Sequence, residues 1–502
     1  MDMDRDLQSI QEARDLAQKA RKAFEQLEHF SQEKIDRIVA EMAKRAEAEA
    51  ERLARLAVED TGLGVVEHKV QKNLFAARNV YNAIKDLKTV GFIREDNVNK
   101  VYEIAEPMGV IMGIIPTTNP TSTIIYKALI SIKARNTIVF SPHPNAVKCS
   151  LETARVLEEA GVSAGAPPGC VQCLSIITKE GTNALMHHPD IALILATGGS
   201  AMVKAAYSAG KPAIGVGPGN VPAYIESSAD IKKAVSDIFA SKTFDNGVIC
   251  ASEQAIIVDA NIEKEVREEV VRQGGYFLSK DEIRVVEKIL FSPKGLPASD
   301  IVGQSAQFIA RKAGITVPDN TRLLVAELDG VGPAYPLSKE KLSPVIAFYV
   351  EKDWRSACER CIEMLEFGGM GHTLVIHSNN EDVIREFALR KPAFRILVNT
   401  PGSQGAIGGT TGLFPSLTLG CGTWGGSITA DNVGPHHLMN IKRLAYEIRP
   451  VEPVKVQVDG RRAVERAVAK RSEPVTPPPR GKLTEEEIER IVREFLKQRG
   501  RR

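Results

Sequence analysis

"IALILATGGSAMVKAAYSAG", residues 191–210, is the stretch on which the fold turns. Its first seven residues, Ile191 to Thr197, are almost wholly apolar and far too few to cross a bilayer, so they read as a strand buried on both faces. Thr197, Gly198, Gly199 and Ser200 supply a turn, and helix-forming residues follow. Strand, tight turn and helix in that order form the repeating unit of a parallel α/β sheet. The free N–H groups that open such a helix also suit a phosphate. From these residues alone, an ordinary strand–turn–helix and a nucleotide site both remain open.

Similar units flank it. "VIMGIIP" (110–116), "TIVFSP" (137–142) and "CLSIIT" (173–178) are short apolar runs separated by helical or Gly/Pro-rich stretches. A second set follows Thr243: "AIIVD", "RLLVAEL", "VIAFYV", "TLVIHS" and "RILVNT", interleaved with helical segments such as "RSACERCIEMLEF". Two α/β domains with mostly parallel sheets are expected. Ahead of them, Asp4 to about Glu59 is helical, with Ile35, Ile38, Val39 and Met42 at three- and four-residue spacing and Ser31 placed as an N-cap. The region from Gly402 to Gly426 is so rich in glycine that it reads as a loop packed near a site or a neighbouring domain.

The whole chain has 502 residues, too many for one hydrophobic core, and 43% of them are hydrophobic. Its 65 Lys and Arg against 63 Asp and Glu leave a net charge of +2, without the excess that binds nucleic acid or membrane surfaces. Small-molecule chemistry is the better expectation. Seven cysteines without disulfide-framework spacing, after an acidic "MDMDRDLQ" start, point to a reducing, cytoplasmic setting.

Cys250, in "TFDNGVICASEQ" (243–254), follows the turn formers Asp245, Asn246 and Gly247 and precedes the small Ala251 and Ser252. It is either a displayed nucleophile or a small core residue. Cys421 in "LGCGTWGG" reads as a small residue in a tight Gly turn. The pairs Cys170/Cys173 and Cys358/Cys361 offer four thiols, but they lie far apart in sequence and the second sits on a helix, so packing is favoured over zinc and no metal is expected. Asn119, between Thr118 and Pro120, either donates to an oxyanion or holds its own turn. "GVGPGN" (215–220) has a proline inside and no helix after it, which makes it a poor phosphate loop.

Taken together, "IIPTTNPTSTIIYKALISIKARNTIVFSPHP", "NALMHHPDIALILATGG", "KTFDNGVICASEQ", "EKLSPVIAFY" and "PSLTLGCGTWGG" resemble the CoA-acylating aldehyde dehydrogenases, including the aldehyde dehydrogenase half of bifunctional alcohol/aldehyde dehydrogenases. The likeness runs from the first helices to about Glu447, and the activity of a fused iron-dependent alcohol dehydrogenase half is not expected. It implies an aldehyde dehydrogenase-like α/β fold. A nucleotide-binding domain would span 1–241, interrupted by a flap segment near 90–107, with a catalytic domain at 242–424 and an oligomerisation segment at 425–450. It also implies roles. Cys250 would be the nucleophile that carries a thioester to coenzyme A, Asn119 the oxyanion donor, and His372 in "GGMGHT" an aid to proton or thiol handling. Glu340 would hold the nicotinamide ribose, Gly199 and Ser200 would form the pyrophosphate turn, and Gly217 would be a further cofactor-binding residue. Ser141, Pro142 and His143 stand where a ribose-binding lysine is common, so NAD is expected with NADP as the alternative.

Hydrolytic members of the family place a carboxylate base where this chain has Val216, and a valine cannot take a proton. The resemblance therefore implies oxidation of a short-chain aldehyde such as acetaldehyde to its acyl-CoA. The alternatives are sulfoacetaldehyde or another substituted aldehyde, and a scaffold or filament-forming protein. It also implies a homodimer or homotetramer.

Beyond Pro450 the prolines of "EPVTPPPRG" mark a linker, 451–481, followed by an amphipathic helix, 482–500. Thr484 and Glu487 form its capping box, and Ile488, Ile491, Val492, Phe495 and Leu496 form its apolar stripe. So short a helix needs a partner, its own body or another protein. Related enzymes carry such a helix as an encapsulation peptide, which implies targeting to a bacterial microcompartment.

Overall fold

The structure is a computed structural model that describes residues 4–292, 295–451, 486 and 490, with the backbone alone of Ser200. The linker at 451–481 and the helix at 482–500 lie outside the described residues, apart from Val451 and from Glu486 and Arg490, which are helical. The described residues up to Tyr446 form one compact unit, which holds every strand among the described residues.

Three helices, Arg5–Leu27, Gln32–Ala48 and Ala50–Thr61, open the chain. Ser31 caps the second by accepting from the Lys34 N–H, as its position predicts. Strands β1 (Gly91–Asp96) and β2 (Val101–Pro107) make an antiparallel hairpin where the flap was expected.

Next come β3 (Val110–Ile115), β4 (Thr137–Pro142), β5 (Val171–Cys173), β6 (Ile191–Thr197) and β7 (Ala213–Val216), a parallel sheet in the order β5-β4-β3-β6-β7. Alternate residues face opposite sides. Ile111, Ile115, Ile138, Phe140, Leu193 and Leu195 pack on one face, while Val110, Met112, Val139, Ile194 and Ala196 meet Ala13, Ala17, Ala20 and Phe24 of the first helix on the other. β5 ends earlier than "CLSIIT" suggested, because the N–H groups of Ser175 and Ile176 donate to the Glu12 carboxylate instead of a sheet neighbour.

The second sheet holds β8 (Val221–Ile225), β9 (Glu253–Asp259), β10 (Gly275–Phe277), β11 (Leu323–Glu327), β12 (Val345–Glu351), β13 (Gly371–His377) and β14 (Ala393–Val398), all parallel, in the order β10-β11-β12-β9-β8-β13-β14. β8 pairs with β9 and β13, so the chain changes sheets between Val216 and Val221 and not at the 241/242 boundary read from the sequence. A strand buried on both faces carries no mark of which sheet it joins.

The last strand, β15 (Met439–Ala445), returns to pair antiparallel with β2, so only the end of the 425–450 segment adds to the flap. The glycine-rich 402–426 region is mostly irregular, yet Gly402–Ala406 forms a short helix anchored by the Glu253 carboxylate, which accepts from the Gly402 N–H at 2.7 Å. Among the described residues no helix is long and apolar enough to cross a membrane.

Candidate active site

A cavity of about 1010 Å³ collects residues from the carboxyl ends of β3, β4 and β6 and from segments that lead into β9 and β12. In the first sheet the chain runs from β3 outward through β4 to β5 and then crosses back to β6. The crevice beyond β3 and β6 is therefore a topological switch point, where open α/β sheets take their ligands. Of the residues singled out in the sequence, Cys250, Asn119, Gly199, Glu340, Ser141, Pro142, His143 and Gly217 all line this one cavity, as does Val216. His372 does not.

At the far end, Ser141 and Pro142 finish β4. Ser141 Oγ lies 3.1 Å from Thr182 Oγ1, and His143 Nδ1 accepts from the Asn145 N–H at 3.1 Å. The same cavity takes in the start of the helix Ser200–Tyr207. Its N-cap, Gly199, makes no side-chain cap bond, and a Cβ on Gly199 would meet nothing within 4 Å. A helix start left open to a cleft fits a pyrophosphate. The residues present thus suit a dinucleotide laid from β4 toward Cys250.

Cys250 sits just ahead of β9, in a loop whose residues Asp245 (φ 52°), Asn246 (φ 55°) and Gly247 (φ 76°) are all left-handed. Asp and Asn tolerate that conformation better than most residues, and here it is braced. Asp245 Oδ1 accepts from the Val65 N–H at 2.7 Å, and Asn246 Nδ2 donates to the Gly303 carbonyl at 2.8 Å. The cysteine is only partly buried as a residue, but desolvation of its thiol pushes the pKa up to about 12, with Glu340 and Cys421 acting in the same direction and Arg395 against them. At neutral pH Cys250 is therefore a thiol. Ile249, Ile407, Leu417 and Leu419 give this end of the cavity an apolar wall.

Glu340 is the only carboxylate among the described residues that line the cavity. Burial raises its pKa to about 7, and the Gly219 N–H, donating to Oε1 at 3.2 Å, works the other way. Gly219 also packs against the backbone of Cys250: a Cβ there would stand 2.0 Å from the Cys250 carbonyl oxygen.

Asn119 is the N-cap of the helix Pro120–Lys133, all of whose residues are buried, yet its side chain makes no capping bond. Its Nδ2 donates to Thr118 Oγ1 at 3.0 Å, and its Oδ1 accepts from Lys72 Nζ at 2.5 Å. Sequence reading missed this lysine. Lys72 and Lys69 lie on the helix Val66–Leu74, three residues apart and both buried, and both donate to Asp245 Oδ2. The three-residue spacing of polar residues on a face that also buries Asn73 was the available signal.

His372 is fully buried in β13, its Nδ1 2.9 Å from Thr373 Oγ1 and its Nε2 without a hydrogen-bond partner. Burial, and then Arg395, lower its pKa to about 3, so the imidazole is neutral. His372 is not among the lining residues, yet its Nδ1 lies 3.3 Å from where a Cβ on Gly219 would stand, and Gly219 abuts the Cys250 carbonyl. Cys358, Cys361 and Cys170 belong to cores, and Cys421 is buried in its glycine turn.

Comparison with known proteins agrees with this arrangement. The profile of the Aldehyde dehydrogenase family matches residues 6–275. The bifunctional aldehyde-alcohol dehydrogenase of Escherichia coli K12 is 47% identical over 442 residues, which is 87% of this chain but 50% of that protein, so the chain spans about half the length of such relatives. Among solved structures, an acetylating aldehyde dehydrogenase from Geobacillus thermoglucosidasius superposes with a TM-score of 0.88 at 54% identity, covering 89% of this chain and 99% of that one. A propionaldehyde dehydrogenase from the fucose utilisation bacterial microcompartment of Clostridium phytofermentans gives 0.78 at 30%, covering 86% and 96%. With the fold, the cleft and these likenesses in agreement, the chain belongs to the aldehyde dehydrogenase family.

Proposed function

We propose that this protein oxidises a short-chain aldehyde to its acyl-CoA, with NAD and coenzyme A, through a thioester on Cys250. One observation carries the reading. Cys250 and Asn119 open on one cleft whose β7 wall ends in Val216, and Glu340 is the only described carboxylate in that cleft. Cys250 Sγ bonds to the aldehyde carbon and loses its proton, while the carbonyl oxygen becomes an alkoxide within reach of an amide donor such as Asn119 Nδ2. A nicotinamide held at the Cys250 end of the cleft would supply the acceptor for the hydride that leaves the Sγ-bound carbon as the alkoxide closes to the thioester carbonyl. With no carboxylate at Val216 to activate water, the thioester on Cys250 persists until the thiol of coenzyme A displaces it.

The apolar wall beside Cys250 favours an unsubstituted aliphatic aldehyde over one that bears a sulfonate. NADH formation from acetaldehyde or propionaldehyde that requires added coenzyme A, and that disappears in Cys250→Ala, is the expected result. Full-rate NADH formation without coenzyme A would mean a hydrolytic enzyme instead. Rates with NAD and NADP, and with sulfoacetaldehyde, complete the panel.

On this reading the first sheet and its helices bind the nucleotide, the second sheet carries the nucleophile, and the three-stranded β1-β2-β15 sheet joins subunits into a dimer or tetramer. Its exposed Phe92 and Leu444 support that role. We further read 482–500 as an encapsulation peptide, supported by its amphipathic sequence and by the microcompartment source of the Clostridium phytofermentans relative. Deletion from Pro474 onward should leave activity intact and abolish co-purification with shells; retained co-purification sinks the idea.

A further inference from the structure

Resting on the reading of Asn119 as oxyanion donor, we propose that Lys72 is a positioning residue: its ammonium fixes the Asn119 amide so that nitrogen, not oxygen, meets the developing alkoxide. The two ends of an amide have nearly the same shape, so its orientation is decided by its hydrogen-bond partners. Asn119 has two within reach. Thr118 Oγ1, 3.0 Å from Nδ2, is a hydroxyl that donates or accepts equally well and so is indifferent to a flip. Lys72 Nζ, 2.5 Å from Oδ1, has donors only, and it alone breaks the tie. A flipped amide would set N–H groups against an ammonium and turn a carbonyl oxygen toward the alkoxide, which is repulsive on both sides.

The ammonium is itself held in place. Asp245 Oδ2 accepts from Lys72 and from Lys69, and Lys69 also donates to the Thr118 carbonyl at 2.9 Å. Two cations thus share one buried carboxylate, which leaves net positive charge beside the place where the alkoxide forms. Burial lowers the Lys72 pKa to about 8, with Asp245 opposing and Lys69 adding to the fall, so the group is still an ammonium at neutral pH. Asp245 lies five residues before Cys250 in the same loop. One side chain, Lys72, therefore touches both the oxyanion donor and the segment that carries the nucleophile, and it lines the cavity between them.

The test is a double-mutant cycle in the full chain, assayed with propionaldehyde, NAD and coenzyme A. Lys72→Met should lower kcat about a hundredfold, the scale of losing one oxyanion donor, with KM for the aldehyde within about twofold. In an Asn119→Ala background the same change should cost less than about threefold, because the amide it orients is gone. Equal losses in the two backgrounds, or wild-type kcat in Lys72→Met, overturn the inference. Lys69 still pairs with Asp245 in the variant. Should Lys72→Met nevertheless fail to fold, Lys72→Arg, which keeps donors and charge, must exceed Lys72→Gln by at least about tenfold in kcat; equal rates also overturn it. A wild-type protein without coenzyme A-dependent NADH formation would instead refute the proposed function itself.

Discussion

Cys250 has a thiol held well above the ordinary range, so its reactivity should track the small anionic fraction. Below the pKa that fraction grows tenfold per pH unit, so the rate of alkylation by iodoacetamide should climb from about pH 7 to 10 without a plateau. A plateau near pH 7 to 8 would show an activated resting thiolate. Glu340 raises the thiol pKa and is itself ionised above about pH 7, so Glu340→Gln should speed alkylation at pH 8.5 several-fold while raising KM for the dinucleotide. Slower alkylation in that variant would contradict the electrostatics. That Cys250, Asn119 and Glu340 meet in one cleft was anticipated by the family resemblance of the motifs around them, since the local residues left each reading open. Lys72 was not singled out: its spacing with Lys69 marks a shared helix face, but nothing local says that this face meets an asparagine 47 residues on. Asp245 was read only as a turn former; its carboxylate proves to be the counter-ion of two buried lysines.

Among the elements, β3 through β6 followed from short apolar runs and turns, since each unit is local, whereas β7 was not singled out. The passage from one sheet to the other did not follow, because β8 differs from β7 only in its neighbours, and pairing is long-range. Two glycines near that passage separate geometry from chemistry. In Gly219→Ala the new methyl meets the Cys250 carbonyl, a backbone atom that cannot rotate away. A stability loss of about 1–3 kcal/mol and a fall in kcat of at least about tenfold are expected from thermal melts and kinetics. In Gly199→Ala the methyl enters open space at an ordinary φ of −64°, so melting should shift by less than about 0.5 kcal/mol while KM for the dinucleotide rises, since the methyl occupies the helix mouth. An unchanged KM there would remove the pyrophosphate from that helix.

For the molecule as a whole, five of the seven cysteines are buried, and only Cys173 and Cys250 are partly exposed. Burial raises the pKa of both. A disulfide-exchange reagent should therefore titrate at most two thiols, slowly, in the native protein and all seven after denaturation. More than two fast thiols would mean that the cores are looser than the packing shows. The desolvated cleft around Cys250 has a consequence for how the protein ages. Peroxide attacks thiolates, not thiols, so on the proposed mechanism a Cys250 kept protonated between turnovers should resist overoxidation to sulfinic acid and outlast a cysteine that rests ionised. Its vulnerable moments would be confined to the interval in which substrate occupies the cleft and the proton has already gone.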